Sequence, residues 1–335
     1  MVPGYRHLPG NHCGSTALRN LLDHNGIELS EEMAFGLGAG ACFYYLVLEE
    51  ASPTRWFNGR TAQLEQSFLE LSGAPLDLQT FEDPDSAWEA AKASVDAGRP
   101  VLLLTDLYYL DHYGKSAHFP GHAVVLAGYD DEFVFLSDTA FEELQRCRIS
   151  SLREARHGDH PAFQLQGHMF SVSGEASPEV LRGAAGAAID RAAGEMIEPS
   201  FGEFAGLPAL RRLADQAAQW PREADDWQWC ARFAFQVIER RGTGGGNFRL
   251  MYSRFLEEAG YAEGAELAAR AAADWTALAE TFRGASDSEE AEQDQWQRIG
   301  ALTGEVLAAE EALWGYLAGT DADSAGGAGD PKRAK

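Results

Sequence analysis

Basic residues are scarce in this sequence: 27 Lys and Arg stand against 52 Asp and Glu in 335 residues, a formal net charge of -25. Nucleic acid is excluded as a partner on that ground, because phosphate contacts need a basic face. The acidic excess is read first as a means of solubility and second as a preference for a cationic or amine-bearing substrate. Cysteine is also rare. Cys13, Cys42, Cys147 and Cys230 show no C-x-x-C or Cys/His spacing, which argues against a disulfide framework and a zinc site and implies reduced thiols. No apolar run reaches membrane-spanning length, and Met1 to Asn11 lacks the basic and apolar regions of a signal peptide, so a cytoplasmic protein without membrane contact is expected. Nucleotide signatures are missing too. Gly36, Gly38 and Gly40 precede the strand-like run Cys42 to Leu48 rather than following a strand, and are read as a tight packing loop.

What is present centres on Cys13. Apolar side chains at Ala17, Leu18, Leu21 and Leu22 have the spacing of a helix with one buried face, and nothing before Asn11 continues that pattern. The helix therefore starts near Cys13. A thiol in the first turn of a helix meets unpaired amides and the positive end of the macrodipole, both of which favour the thiolate. Gly14 keeps the approach to the sulfur open, and the turn offers amides to a developing oxyanion. The bland alternative is a small apolar residue in a core helix.

More than a hundred residues later, Gly121 to Asp138 reads as a β-hairpin, with apolar runs at Ala123 to Ala127 and Phe133 to Leu136 around Asp130-Asp131-Glu132. Pairing 129 with 133 sets His122 opposite Ala140 and, on the same face, diagonally from Asp138. Slipping the register by one residue would put them on opposite faces. In the expected register their Cβ atoms are on the order of 5 to 8 Å apart, so the carboxylate can orient the imidazole. Cysteine at a helix start, histidine at a strand start and a carboxylate at the end of the next strand form a thiol acyl-transfer set.

These stretches, His12-Cys13-Gly14-Ser15, the helix ending in Asn25-Gly26, Ile27 to Glu32 with Phe35 to Gly40 behind it, and Gly121-His122 through Asp138, resemble the amino-terminal domain family of butirosin biosynthesis protein H. The resemblance implies a papain-like cysteine fold and an acyltransferase that moves an acyl group from a carrier-protein thioester to an amine. Glu239 to Leu256 is similar to the uncharacterised helical domain that follows this module in many such chains. Papain-like relatives of the bacteriocin-processing type carry a glutamine six residues before the cysteine as an oxyanion partner. Here that position is His7, whose ring N–H is the expected substitute donor.

Along the rest of the chain, helices are predicted from Ser30, over 61–72 and over 85–98, with a buried strand over 101–105. Residues 111–120 form a polar, aromatic loop in which His112 and His118 are read as solvated. His160 and His168 are spare histidines, and Phe163 to Phe170 is a last strand. Ser173 to Pro178 is taken as the boundary. Domains are thus expected at 1–174 (papain-like, α+β with an antiparallel sheet) and 175–317 (all-α), with an unfolded tail over 318–335.

Within the helical part, Gly242-Thr-Gly-Gly-Gly246 stands between two helices, with Arg240, Arg241, Arg249 and Arg254 around it. It is either a packing turn or a backbone cradle for the phosphate of a pantetheine arm, which would engage Gly244 and Gly245. The functional expectation is then complete. Cys13 attacks a thioester, His122 handles its proton, Asp138 orients His122, His7 and Gly14 face the oxyanion, and the arginines receive an acyl carrier protein. No cofactor is resident, since phosphopantetheine arrives on the carrier, and no metal is used. A hydrolase opening the acyl-enzyme with water, or a noncatalytic binding module, are the alternatives.

Overall fold

The computed structural model describes residues 1–160 and 163–324. Its helices are α1 (Cys13–His24), α2 (Glu31–Leu37), α3 (Leu64–Leu71), α4 (Pro84–Asp96), α5 (Ile149–Ala155), α6 (Pro178–Arg182), α7 (Ala185–Ile197), α8 (Gly206–Gln216), α9 (Trp220–Glu223), α10 (Trp227–Glu239), α11 (Arg249–Glu258), α12 (Ala262–Asp287) and α13 (Gln293–Ser324). The strands are β1 (Ala41–Val47), β2 (Arg55–Arg60), β3 (Leu76–Gln79), β4 (Val101–Asp106), β5 (Pro120–Tyr129), β6 (Phe133–Ser137), β7 (Gln145–Arg148) and β8 (Met169–Val172). Among the described residues no helix is long and apolar enough to cross a membrane.

Two compact units result, and they are not consecutive halves of the chain. The first joins Met1–Gly38 to Ala62–Ala185; the second joins Ala39–Thr61 to the chain from Gly186 onward. The sequence boundary at 174 therefore needs correcting twice. The first unit runs on to Ala185, and the β1–β2 hairpin belongs with the helices.

The first unit is built on a six-stranded antiparallel sheet in the order β3-β8-β4-β5-β6-β7. Alternation explains its core. Val101 and Leu103 of β4, Val124 and Leu126 of β5, and Val134 and Leu136 of β6 project to one face, which α4 and α5 cover with Trp88, Ala91, Val95 and Leu152. Helix α1 packs against β5 and buries Leu18, Leu21 and Leu22 completely. The α+β class with an antiparallel sheet and a helical region is thus as expected. Residues 163–168 carry no strand, however, and β8 begins only at Met169.

The hairpin differs from expectation at its tip. Tyr129 pairs with Val134 rather than Phe133, and a bulge lies between Leu126 and Gly128. These one-residue differences cancel, because Leu126 faces Leu136 and Val125 faces Ser137 in the expected register.

The second unit packs helices around the hairpin. Phe43 and Phe57 lie 5.5 and 6.1 Å from the Trp275 ring, and the Trp220 indole N–H donates to the Tyr45 hydroxyl at 3.3 Å. Arg249 is its buried tie. It bonds Glu310 through Nε at 2.8 Å and Nη2 at 3.1 Å, and donates to the carbonyls of Gly59 at 2.7 Å and Cys42 at 3.0 Å. Indole N–H groups of Trp275 and Trp314 complete the Glu310 carboxylate at 2.6 Å each. The expected unfolded tail is partly overturned, since α13 continues through Ser324; residues 325–335 lie outside the described residues.

Candidate active site

Cys13 opens α1 because the chain before it is capped from outside. His12 is the N-cap, its Nδ1 accepting from Ser15 N at 3.3 Å. The buried carboxylate of Glu31, from α2, accepts from the amides of Asn11 at 2.8 Å and His12 at 2.7 Å and from the Thr16 hydroxyl at 3.1 Å. The amides of Cys13 and Gly14 stand between these two capped sets. At Gly14 a methyl group would meet the Glu65 carboxylate and the Leu64 side chain, so a larger residue there would have to displace the Glu65 carboxylate.

His122 begins the buried part of β5, where its carbonyl accepts the Thr105 hydroxyl at 2.9 Å. Its Nε2 donates to both oxygens of Asp138, at 3.1 Å each. The ring also shares a hydrogen bond with the Cys13 side chain. The three residues selected from the sequence therefore form one continuous chain from thiol to carboxylate.

Electrostatics follow from that chain. Burial disfavours the charged His122 ring, yet Asp138 and Cys13 outweigh it and push the imidazole up to about 10. Burial likewise opposes the Asp138 charge, but His122 and His112 hold its carboxyl well below the usual carboxylate range. The pair is thus poised as imidazolium and carboxylate beside the Cys13 sulfur, whose thiolate the imidazolium favours. The other cysteines are buried: burial raises Cys42 and Cys230 and pushes Cys147 up to about 11, which keeps all three protonated and inert.

Four site expectations meet different surroundings. His7 has both ring nitrogens engaged, Nε2 donating to the Phe141 carbonyl at 2.8 Å and Nδ1 bonded to the Ser137 hydroxyl at 2.7 Å, so it has no N–H to spare for an oxyanion. Arg249 is fully buried in its ion pair and is not a docking residue. The glycine loop spends its polar groups internally. Gly245 N donates to Thr243 at 3.0 Å, Gly246 N to Glu239 at 3.2 Å and Asn247 N to the Ile238 carbonyl at 3.0 Å. A Cβ at Gly246 would lie 2.7 Å from Ala272, which makes this a packing turn rather than a phosphate cradle at Gly244 and Gly245. Arg240 and Arg241 remain exposed; Arg241 bonds Gln236 at 2.7 Å and covers the Phe233 ring.

Of the two loop histidines expected to be solvated, His118 is exposed and His112 is not. His118 Nδ1 bonds the buried Asp106 at 2.7 Å and stacks on Tyr108, 4.0 Å between centroids. His112 belongs to the site: its side chain is 6% exposed and its Nε2 donates to Asp138 at 2.8 Å. Tyr113 adds its hydroxyl to the same carboxylate at 3.1 Å. The run Asp111-His-Tyr113 was the available signal, an imidazole beside a phenol just before the catalytic strand. His160 stays apart, 6.2 Å from the His118 ring, and His168 receives the Gln166 amide.

A buried carboxylate holding an imidazole against a thiol defines a cysteine-centred site on an antiparallel α+β scaffold. Residues 12–139 match the family described as butirosin biosynthesis protein H, N-terminal, and residues 150–317 match a domain of unknown function, DUF4872. The chain belongs to this family, its amino-terminal domain followed by that carboxy-terminal one. No curated protein matches it.

Proposed function

We propose that this chain is a biosynthetic enzyme of the papain-like cysteine class that transfers an acyl group from a thioester to an amine. One observation carries the reading: the Cys13 side chain is hydrogen-bonded to an imidazole whose Nε2 is held on a buried carboxylate. A helix-start cysteine followed in the chain by a strand-borne histidine and then a carboxylate on the neighbouring strand is the papain-like order, and the family's name ties it to biosynthesis.

In the reaction the Cys13 thiolate attacks the thioester carbonyl, and the tetrahedral oxyanion forms beside the first turn of α1, where the amides of Cys13 and Gly14 are the nearest donors by position. Collapse breaks the carbonyl–sulfur bond, and imidazolium His122 gives its proton to the departing thiolate, which leaves as the free thiol. Neutral His122 then takes a proton from the attacking amine, the amide forms, and Cys13 leaves as thiolate to restore the ion pair. Asp138 keeps the ring oriented and its charge compensated throughout. The donor thiol is read as the phosphopantetheine of an acyl carrier protein, and the acceptor as a small amine that the acidic surface attracts.

The test uses a short acyl N-acetylcysteamine thioester and intact-protein mass spectrometry. An acyl adduct is expected on Cys13 and is lost in Cys13→Ala, which deletes one sulfur and leaves the melting temperature unchanged. Added amines should discharge the adduct faster than water does. Discharge indifferent to amines would make the enzyme a hydrolase, and absence of any adduct would overturn the acyl-enzyme.

A further inference from the structure

The loop before β5 is held at both ends by carboxylates. Asp106 accepts from the amides of Tyr108 at 3.1 Å and Phe119 at 2.9 Å and from the His118 ring at 2.7 Å. Asp111 accepts from the Arg148 amide at 2.8 Å and the Ser151 hydroxyl at 2.9 Å, which fastens the middle of the loop to β7 and α5. Between and beyond these struts only two side chains turn in to the catalytic carboxylate, His112 and Tyr113. Their rings are packed as well as bonded. The His112 ring meets Phe141 edge-on at 5.2 Å, and Tyr113 stands edge-on to His122 at 5.6 Å and 88°.

Among the described residues Asp138 receives three side-chain donors: His122 on both oxygens, His112 on Oδ2 and Tyr113 on Oδ1. His112 makes the shortest of these bonds. Its Nδ1 is buried with no hydrogen-bond partner among the described residues, so a proton there would be stranded, whereas a proton on Nε2 is bound by the carboxylate. The ring is thus committed to one direction of donation. A carboxylate with a single donor could rotate about its Cβ–Cγ bond; with His112 on one oxygen and Tyr113 on the other, its plane is fixed where both oxygens serve His122.

We infer that His112, assisted by Tyr113, is a positioning residue for catalysis, clamping Asp138 so that it can hold His122 against Cys13. The inference rests on the reading of Cys13 and His122 as the reacting pair. Charged and titratable groups facing Asp138 are His122 from β5 and His112 and Tyr113 from the loop, with Cys13 from α1 coupled to both His122 and Tyr113.

The pH dependence of Cys13 alkylation by iodoacetamide, read at Cys13 by peptide mass spectrometry, tests it without a substrate. The wild-type midpoint should fall clearly below that of a free thiol, about 8.5. His112→Phe keeps the ring and deletes the donor, and should raise the midpoint by about one pH unit or more, the scale of one lost charge-assisted hydrogen bond. His112→Gln restores an N–H and should bring the midpoint back toward wild type, while Tyr113→Phe should shift it in the same direction as His112→Phe but less. A thermal melt accompanies each variant. A wild-type midpoint at the free-thiol value would overturn the catalytic pair itself. An activated wild type with an unmoved midpoint in His112→Phe overturns the clamp alone, and so does an equal shift in Phe and Gln variants, which would make the ring's shape, not its hydrogen bond, the cause. If His112→Phe fails to fold, His112→Leu, which also deletes the donor, and Tyr113→Phe are compared with wild type, and two unmoved midpoints reject the proposal.

Discussion

Replacing Arg249 by methionine should be among the most damaging single substitutions in the second unit. The guanidinium is fully buried and donates to Glu310, Gly59, Asn247 and Cys42. Methionine refills most of the aliphatic space, so the cavity contribution is small. What remains is electrostatic. Glu310 keeps only the two indole N–H groups, and breaking a buried ion pair from one side costs about 3–5 kcal/mol. The three carbonyls also lose a donor, roughly 1 kcal/mol each before relaxation. A net loss of about 4–7 kcal/mol is expected, a large share of the 5–15 kcal/mol typical of a folded protein. Urea unfolding followed by tryptophan fluorescence measures it directly, because Trp275 and Trp314 touch the pair. Replacing both residues, Arg249→Met with Glu310→Met, should recover much of the loss. A single-variant cost under about 1 kcal/mol, or a double variant no better than the single, would refute this account of the pair.

Asp138→Asn should slow acylation by roughly 10²- to 10⁴-fold while keeping the fold, since an amide can still bond the ring but no longer neutralises it. Because His122 is pushed up to about 10, wild-type turnover should persist into alkaline pH and fall near pH 10, where the ring can no longer protonate the leaving group. The stability the ring gains from Asp138 is complete below the unfolded imidazole value of 6.5 and is lost as the pH rises through the folded one. In Asp138→Asn only Cys13 is left to oppose burial of the ring, so the alkaline fall should move to lower pH; an unmoved limb would count against the ion pair. Reversing exposed Arg240 and Arg241 to Glu should raise the apparent KM for a carrier-bound donor and leave a small thioester unaffected, with salt of roughly 0.1 M mimicking the mutation. Equal loss on both donors, alongside a lower melting temperature, would remove these arginines from carrier docking.

How far the sequence reads correctly depends on whether a short-range rule decides the feature. The α1 start, the β4 run and the helical texture after residue 178 follow from periodicity and capping, which are local. Assignment of the β1–β2 hairpin to the second unit is not local. β1 reads as an apolar run and β2, Arg55 to Arg60, carries no strong strand pattern, while the distant Arg249, Trp220 and Trp275 tie the pair to the helical unit. Arg249 misleads for the same reason. Beside Arg240 and Arg241 it reads as one of a basic patch, but Phe248 enters α11 with a positive φ of 69°, a turn that no helical wheel drawn through the loop anticipates.

The candidate site divides along the same line. His122 and Asp138 were legible because side-chain alternation has a period of two, so the prediction needed only the parity of the register. The structure makes two errors of one residue against it, pairing Tyr129 with Val134 and inserting the bulge between Leu126 and Gly128, and parity survives because the two compensate. His112 had no such protection. Its position depends on carboxylates at Asp106 and Asp111 gripping amides and side chains as far as 40 residues away, a long-range arrangement with no period in the chain. A polar loop next to a catalytic strand therefore reads as solvated by composition, while its buried imidazole makes the shortest hydrogen bond to the carboxylate on which the site turns. The residues that react are on regular elements, where sequence rules apply; those that hold them in line come from the loop, where only tertiary structure places them.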